Sequence, residues 1–336
     1  MRHPTGVQPG DREWLEDRIR GCLAFAALGD AAGAPVEGCT RAQVDACGDP
    51  VEAIRRVSIA AVTDDTGQLE ALVRALIDSG GDLTQAAWRD ALLSWFRTSP
   101  TAERAGPTTR AMLEGAPVGA DDRVGATNGS AMRAAPCGLV HPGDPERAVE
   151  LAWLTSRVTH DTQVAAAAAG AIAAGVSVAL RPGCGVEEVT EACVLGAALG
   201  NGLGVREGRA VLLPRVSDRI ELAIDEARAG RDLDDALDRV EAAVGTSMLA
   251  FESVPAAVGV LAATDGHPFK AVSAGVRIGG DTDTIAAMAG ALAGAMQGYA
   301  RHERDERALL AFVMLPNLDE LVPGLAAVAA RAAPAA

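Results

Sequence analysis

Aromatic residues are scarce in this chain: Phe, Trp and Tyr together make up 3% of 336 residues, while hydrophobic residues as a class make up 49%. A core of that composition must be built from Ala, Val, Leu and Gly. Small side chains let helices approach closely, whereas sheets favour β-branched and aromatic residues. Lysine is nearly missing too, with Lys270 the single example. Acidic residues outnumber basic ones, 45 to 30, and the formal net charge of −15 works against a nucleic-acid partner, because phosphate backbones require basic patches. The six cysteines (Cys22, Cys39, Cys47, Cys137, Cys184 and Cys193) show neither a CxxC pair nor a Cys/His zinc spacing. They read as small apolar residues rather than as disulfides or metal ligands. The N-terminus is polar where a signal peptide would be apolar. No charge-free apolar run with suitable flanks reaches membrane-spanning length; residues 164–180 come closest, but Ala and Gly partition weakly into lipid. A cytoplasmic protein with no membrane partner is the expectation.

Sustained period-two alternation is absent, and no linker or composition shift divides the chain. One all-α domain over residues 1–336 is expected, with a core of about 18–300 and mobile ends at 1–11 and 323–336. Leu15, Ile19, Cys22, Leu23 and Ala26 form a helical stripe that stops at Gly29-Asp30, and the AAGAPVEG segment that follows reads as a loop. Leu69, Leu72, Val73 and Leu76 repeat the spacing as far as Ser79-Gly80-Gly81, after which Thr84 caps a helix carrying Trp88, Leu92 and Trp95. Residues 98–130 are rich in Gly, Pro, Thr and Asp, which predicts a long loop. Helices resume over 151–158 and 161–180, and residues 217–244 read as an exposed pair broken at Gly230. Pro255 suits the first turn of another helix. Gly279-Gly280 then turn the chain into a last one, with Ile285, Met288, Ala289, Leu292, Met296 and Tyr299 on one face.

Two acidic runs, Thr63-Asp64-Asp65-Thr66 and Asp281-Thr282-Asp283-Thr284, each open directly into such an Ala/Gly-rich segment. Asp and Thr are favoured at helix N-caps and first turns, where they satisfy free N–H groups and suit the macrodipole. Capping accounts for one Asp per helix, but not for Asp64 beside Asp65, nor for Asp281 and Asp283 together with Thr284. Crowded carboxylates repel one another unless a cation sits among them. An oxygen-only set of this kind suits Mg²⁺ or Mn²⁺, and both clusters are expected to face one shared site.

The acidic runs are accompanied, in order, by Gly21-Cys22-Leu23, by Leu28-Gly29-Asp30-Ala31-Ala32-Gly33-Ala34-Pro35-Val36-Glu37-Gly38, by Asn128-Gly129-Ser130-Ala131-Met132-Arg133-Ala134-Ala135-Pro136 and by Ser156-Arg157-Val158-Thr159-His160, closing with Gly279-Gly280-Asp281-Thr282-Asp283-Thr284-Ile285. The set resembles the ADP-ribosylglycohydrolase family, which includes the dinitrogenase-reductase-activating glycohydrolases, from about residue 18 to 300. The resemblance implies a single all-α domain with two Mg²⁺ or Mn²⁺ ions on the floor of a cleft. Thr63, Asp64 and Asp65 would ligate on one side, and Asp281, Asp283 and Thr284 on the other. Two such ions roughly 3.5–4 Å apart can hold a ribose diol and activate water, and nearby carboxylates can stabilise an oxocarbenium-like state.

The same resemblance makes Glu37, Asp65 and Asp283 the catalytic acids, with Glu37 as gate, metal contact or proton-transfer group; by itself, Glu37 reads as a solvated loop acid. It assigns Asn128, Gly129, Ser130, Met132, Arg133 and His160 to substrate binding. The bare residues allow blander roles. Asn128-Gly129-Ser130 reads equally as a turn and cap, and Arg133 could reach a diphosphate or pair with a structural carboxylate. One departure stands out: family members often place a base-stacking aromatic just before the Asn-Gly turn, where this chain has Ala126-Thr127. Loss of such a stack weakens adenine binding by roughly 1–3 kcal/mol. The expected activity is therefore hydrolysis of an ADP-ribosyl N- or O-glycosidic bond, on an ADP-ribosylated protein or a small molecule. A different ribosyl glycoside or an NAD-derived metabolite is the alternative, and a non-catalytic ADP-ribose binder is the third reading.

Overall fold

The first helix, α1 (Arg12–Gly33), is opened by Asp11, whose carboxylate accepts from Trp14 N at 2.8 Å. The structure is a computed structural model that describes residues 11–115, 125–314 and 316–332. Among these residues the regular elements are helices, and extended backbone pairs in isolated bridges such as Ala60 with Val313. After α1 come α2 (Arg41–Ala46), α3 (Pro50–Ala53), α4 (Asp64–Asp78), α5 (Gln85–Thr98), α6 (Pro107–Leu113), α7 (Ala135–Leu139), α8 (Pro145–Ser156) and α9 (Gln163–Ala179). The second half adds α10 (Val186–Glu207), α11 (Val216–Ala229), α12 (Leu233–Val244), α13 (Ala250–Ala263), α14 (Pro268–Arg277), α15 (Thr282–Gln297), α16 (Arg304–Ala308) and α17 (Leu318–Ala332). The all-α expectation holds.

Alanine and glycine build the centre as the composition requires. Every residue of α9 is buried, and so is every residue of α15 from Thr282 to Met296. Helix α1 packs along α15 and does not stop at Gly29-Asp30 as expected; it runs on to Gly33. A Cβ on Gly29 would lie 2.3 Å from Ala286 O. The glycine is there to let two backbones meet, not to end a helix. The segment Arg12–Val36, although it carries charges, is by length and composition apolar enough to cross a membrane, but 78% of its most apolar window is buried inside the fold.

Four further expectations change. The long loop at 98–130 holds a 3-10 turn, Pro100–Arg104, and α6, with prolines at the first turns of both; residues 116–124 lie outside the described residues. Proline marked helix starts here rather than loop. The C-terminal end is helical through Ala332, with Leu321, Val322, Leu325 and Val328 buried in the core. Residues 1–10 and 333–336 of the two expected tails lie outside the described residues. Pro255 sits inside α13 instead of in its first turn. The carbonyl it leaves without a helical donor, that of Phe251, accepts instead from Arg219 Nε at 2.6 Å. Tyr299 lies beyond the end of α15, which Gly298 terminates at φ +79.

Candidate functional site

The first turns of α4 and α15 lie side by side because α1 packs against both. Thr63 caps α4, its Oγ1 accepting from Asp65 N at 3.2 Å. Most of the remaining capping is done from another helix. The Asp30 carboxylate, fully buried on α1, accepts from Thr63 N at 3.0 Å, from Thr66 N at 3.1 Å and from Thr66 Oγ1 at 2.5 Å. Asp64 and Asp65 are thereby released from most of the capping work and line the cleft. In the sequence Asp30 reads only as part of a helix end, with no role in the site. The available signal was an acid in the middle of an otherwise apolar helical stripe.

On the facing side, Asp281 N donates to Thr246 O at 2.7 Å and Thr284 N to Asp283 Oδ1 at 2.9 Å. Asn128 spends both amide hydrogens, one on Asp281 Oδ2 at 2.5 Å and one on Ser253 Oγ at 3.0 Å. The Glu37 loop is pinned to the Gly279-Gly280 turn: Gly38 N donates to Gly280 O at 2.8 Å, and Gly280 N to Cys39 O at 2.9 Å. Carboxylate oxygens of Glu37, Asp281 and Asp283 consequently lie within 4.8 Å of one another. Arg104, which the sequence did not single out, donates to Glu37 Oε2 at 3.0 Å on the rim.

Burial and mutual repulsion raise the acids of this floor. Burial, and then the Asp30 charge, pushes Asp64 up to about 7. Burial, then Asp281 and Glu37, pushes Asp283 up to about 9. Asp65 is held well above the ordinary range by burial and then by Asp283, Asp30, Asp64 and Asp281. Its Oδ2 is buried without a hydrogen-bond partner. An orphaned acid oxygen among crowded carboxylates, with no thiolate among the described lining residues, is a donor set that fits a hard divalent cation.

The floor opens into a cleft whose lining includes Thr108, Thr109, Thr127, Asn128, Gly129, Met132, Met248 and His160. Thr284 lines it as well. Three residues assigned to the site lie behind this surface. Thr63 is buried in its capping role. Ser130 is buried too, its Oγ directed at Ala165 O, 3.5 Å away. Arg133 has no exposed surface; it donates to Gln68 Oε1 and, at 2.7 Å, to Thr159 Oγ1. Its long side chain is consumed by the core behind the cleft. Ala126 is buried as well, so Thr127 is the residue that faces the cleft there, and no Phe, Tyr or Trp occurs among the described lining residues.

The chain matches a sequence profile described as ADP-ribosylglycohydrolase over residues 11–333, a span that includes both acidic turns. It is 29% identical over 300 residues to the uncharacterized protein YegU of Escherichia coli, covering 84% of this chain and 88% of YegU. Identity to ADP-ribosylhydrolase ARH3 of Bos taurus is 28% over 325 residues, covering 84% of this chain and 85% of the relative. A solved structure described as an ADP-ribosylglycohydrolase-related protein complex aligns with a TM-score of 0.62 at 25% identity, over 95% of this chain and 99% of that one.

Proposed function

We propose, from the premise that this chain belongs to the ADP-ribosylglycohydrolase family and is a glycosidase-type hydrolase, that it hydrolyses an ADP-ribosyl N- or O-glycosidic bond with two Mg²⁺ or Mn²⁺ ions held on its acidic floor. The observation that carries this reading is the convergence of Glu37, Asp281 and Asp283 oxygens beside the unpartnered Asp65 Oδ2. Asp64, Asp65, Asp281, Asp283 and Thr284, which line the cleft, would hold the ions, with Glu37 at their edge and Thr63 supporting from behind. Bound there, such ions supply Lewis-acid polarisation and orientation of substrate oxygens.

The protein's own groups do the rest. Cleavage of a glycosidic bond builds positive charge at the anomeric carbon, and a floor of carboxylates stabilises that charge where water is excluded. The hydroxyls of Thr108, Thr109 and Thr127 and the backbone at Gly129 offer a polar wall for sugar hydroxyls. With both amide hydrogens engaged, Asn128 contributes by holding Asp281 in place. Glu37, half-exposed on the rim, can reach both the floor and an entering substrate.

The test is incubation of the purified protein with ADP-ribosyl-arginine and ADP-ribosyl-serine, with and without Mg²⁺ or Mn²⁺, following release of free ADP-ribose. Release that requires the cation supports the proposal; no release from any such substrate refutes it. A second reading, a ribosyl glycoside or NAD-derived metabolite without adenine, is favoured by the absence of a stacking aromatic among the described lining residues. Turnover of ribosides that lack adenine, with none of the ADP-ribosyl substrates cleaved, would decide for it.

A further inference from the structure

A continuous chain of buried hydrogen bonds runs behind the cleft and joins its floor to its wall. Asp64 Oδ2 accepts from Gln68 Nε2 at 2.9 Å, and Gln68 Oε1 accepts from Arg133 Nη1. Arg133 Nη2 donates to Thr159 Oγ1 at 2.7 Å. Thr159 Oγ1 lies 2.8 Å from His160 Nδ1, and His160 Nε2 lies 2.9 Å from Thr127 Oγ1 at the cleft surface. Gln68, Arg133 and His160 have no exposed surface, and Thr159 has 2%. We propose that Arg133 is the positioning residue for both sides of the site: through Gln68 it sets the orientation of Asp64, and through Thr159 it sets which nitrogen of His160 carries the proton.

The argument rests on what each group is able to donate. A guanidinium has no acceptor, so both contacts of Arg133 have one direction. Gln68 must present its oxygen to Arg133, and its NH₂ is left facing Asp64; a flipped amide would set donor against donor. Thr159 Oγ1 accepts from Arg133, and its own hydrogen has one acceptor among the described residues, His160 Nδ1. If Nδ1 carried the proton instead, the Thr159 hydrogen would be buried without a partner, at a cost of about 1–3 kcal/mol. Nε2 therefore holds the hydrogen and donates to Thr127 Oγ1, which in turn donates to Thr108 Oγ1 at 3.4 Å. Burial, and then the nearby Arg133 charge, keeps the ring neutral by pushing His160 down to about 3. The arginine lies over the Trp88 ring, 5.6 Å from its centroid, which seats the cation in the core without a carboxylate in contact. The Asp64 arm rests on the metal-dependent reading above; the histidine arm does not.

Long-range ¹H–¹⁵N NMR of the ¹⁵N-histidine-labelled full chain reads the tautomer, and calorimetric titration with Mn²⁺ or Mg²⁺ reads the floor. Wild type is expected to show His160 with Nε2 protonated and Nδ1 bare. Arg133→Met is expected to weaken cation binding about 10–100-fold, the usual effect of losing a partner that orients a ligand, and to change the His160 spectrum. Thr159→Val should alter the His160 signals alone, and Gln68→Leu the cation affinity alone, so the two arms can be read separately even if Arg133→Met fails to fold. A wild-type spectrum with Nδ1 protonated overturns the proposal. So does a folded Arg133→Met protein with the wild-type tautomer and cation affinity. A wild-type protein that binds neither cation refutes the metal-dependent reading and the Asp64 arm together, and the spectrum then decides the histidine arm alone.

Discussion

The bare Cα of Gly33 rests on the backbone of Asp283: a Cβ added at Gly33 would lie 2.4 Å from both N and Cα of Asp283. Thr282 Oγ1 closes the contact by donating to Gly33 O at 2.9 Å. The C-terminal end of α1 therefore sets where the first turn of α15 begins, and with it the position of half of the acidic floor.

Gly33→Ala is expected to push these two backbones apart. Overpacking of a rigid contact costs about 1–3 kcal/mol, and the displacement would fall on Asp281 and Asp283. Chemical denaturation should show the loss of stability, and calorimetry a weaker divalent-cation affinity. Wild-type values for both would mean that the helices yield at no cost and that Gly33 does not position the floor.

Asp30→Ala leaves Thr63 N, Thr66 N and Thr66 Oγ1 without their acceptor in the core. A buried unsatisfied donor costs about 1–3 kcal/mol. The variant should therefore lose far more stability in urea than Arg12→Ala, which removes an exposed pair with Glu16. Equal losses in the two variants would contradict the capping role of Asp30.

The raised acids give the cation-free protein a pH dependence of definite sign. Asp64 and Asp283 titrate in the folded state at about 7 and about 9, above their ordinary 3.8. The folded form thus binds more protons than the unfolded form across that interval. The stabilising contribution is complete below about 3.8 and is lost as the pH rises through about 7 and then about 9. Melting temperature in chelator should fall over this range. Saturating Mg²⁺ or Mn²⁺ should flatten the slope, because cations replace the protons. A cation-free melting temperature that rises from mildly acidic to alkaline pH would contradict the crowded-acid description.

Arg104→Ala separates the rim from the fold. Its pair with Glu37 is half-exposed on both sides, so its loss should change stability by less than about 1 kcal/mol. Both residues line the cleft, and freeing Glu37 should change KM or kcat for whichever substrate is turned over. A large drop in melting temperature with unaltered kinetics would assign the pair to structure instead.

How much of this was legible varies residue by residue. Thr84 as a cap, the break at Gly230 and the turn at Gly279-Gly280 were readable because each acts within a few residues of itself. The two acidic turns were readable because Asp64 beside Asp65 exceeds what capping needs. That Arg133 and Ser130 are buried behind the cleft lining could not be read from the sequence, because a side chain's direction across a turn depends on what packs behind it. Asp30 and Arg104 were passed over because their partners lie 36 and 67 residues away in the chain.

The sequence by itself determined an Ala/Gly-built helical protein with acid clusters at the starts of two helices, since helix periodicity, capping and composition are local properties. Tertiary structure alone decided that Asp30 caps α4 so that Asp64 and Asp65 can face the cleft, that Arg133 is wired behind the site, and that Glu37 meets Asp281 and Asp283. Those outcomes depend on which distant backbones can approach closely enough to share hydrogen bonds, and close approach is a property of packed helices that no single stretch of chain contains.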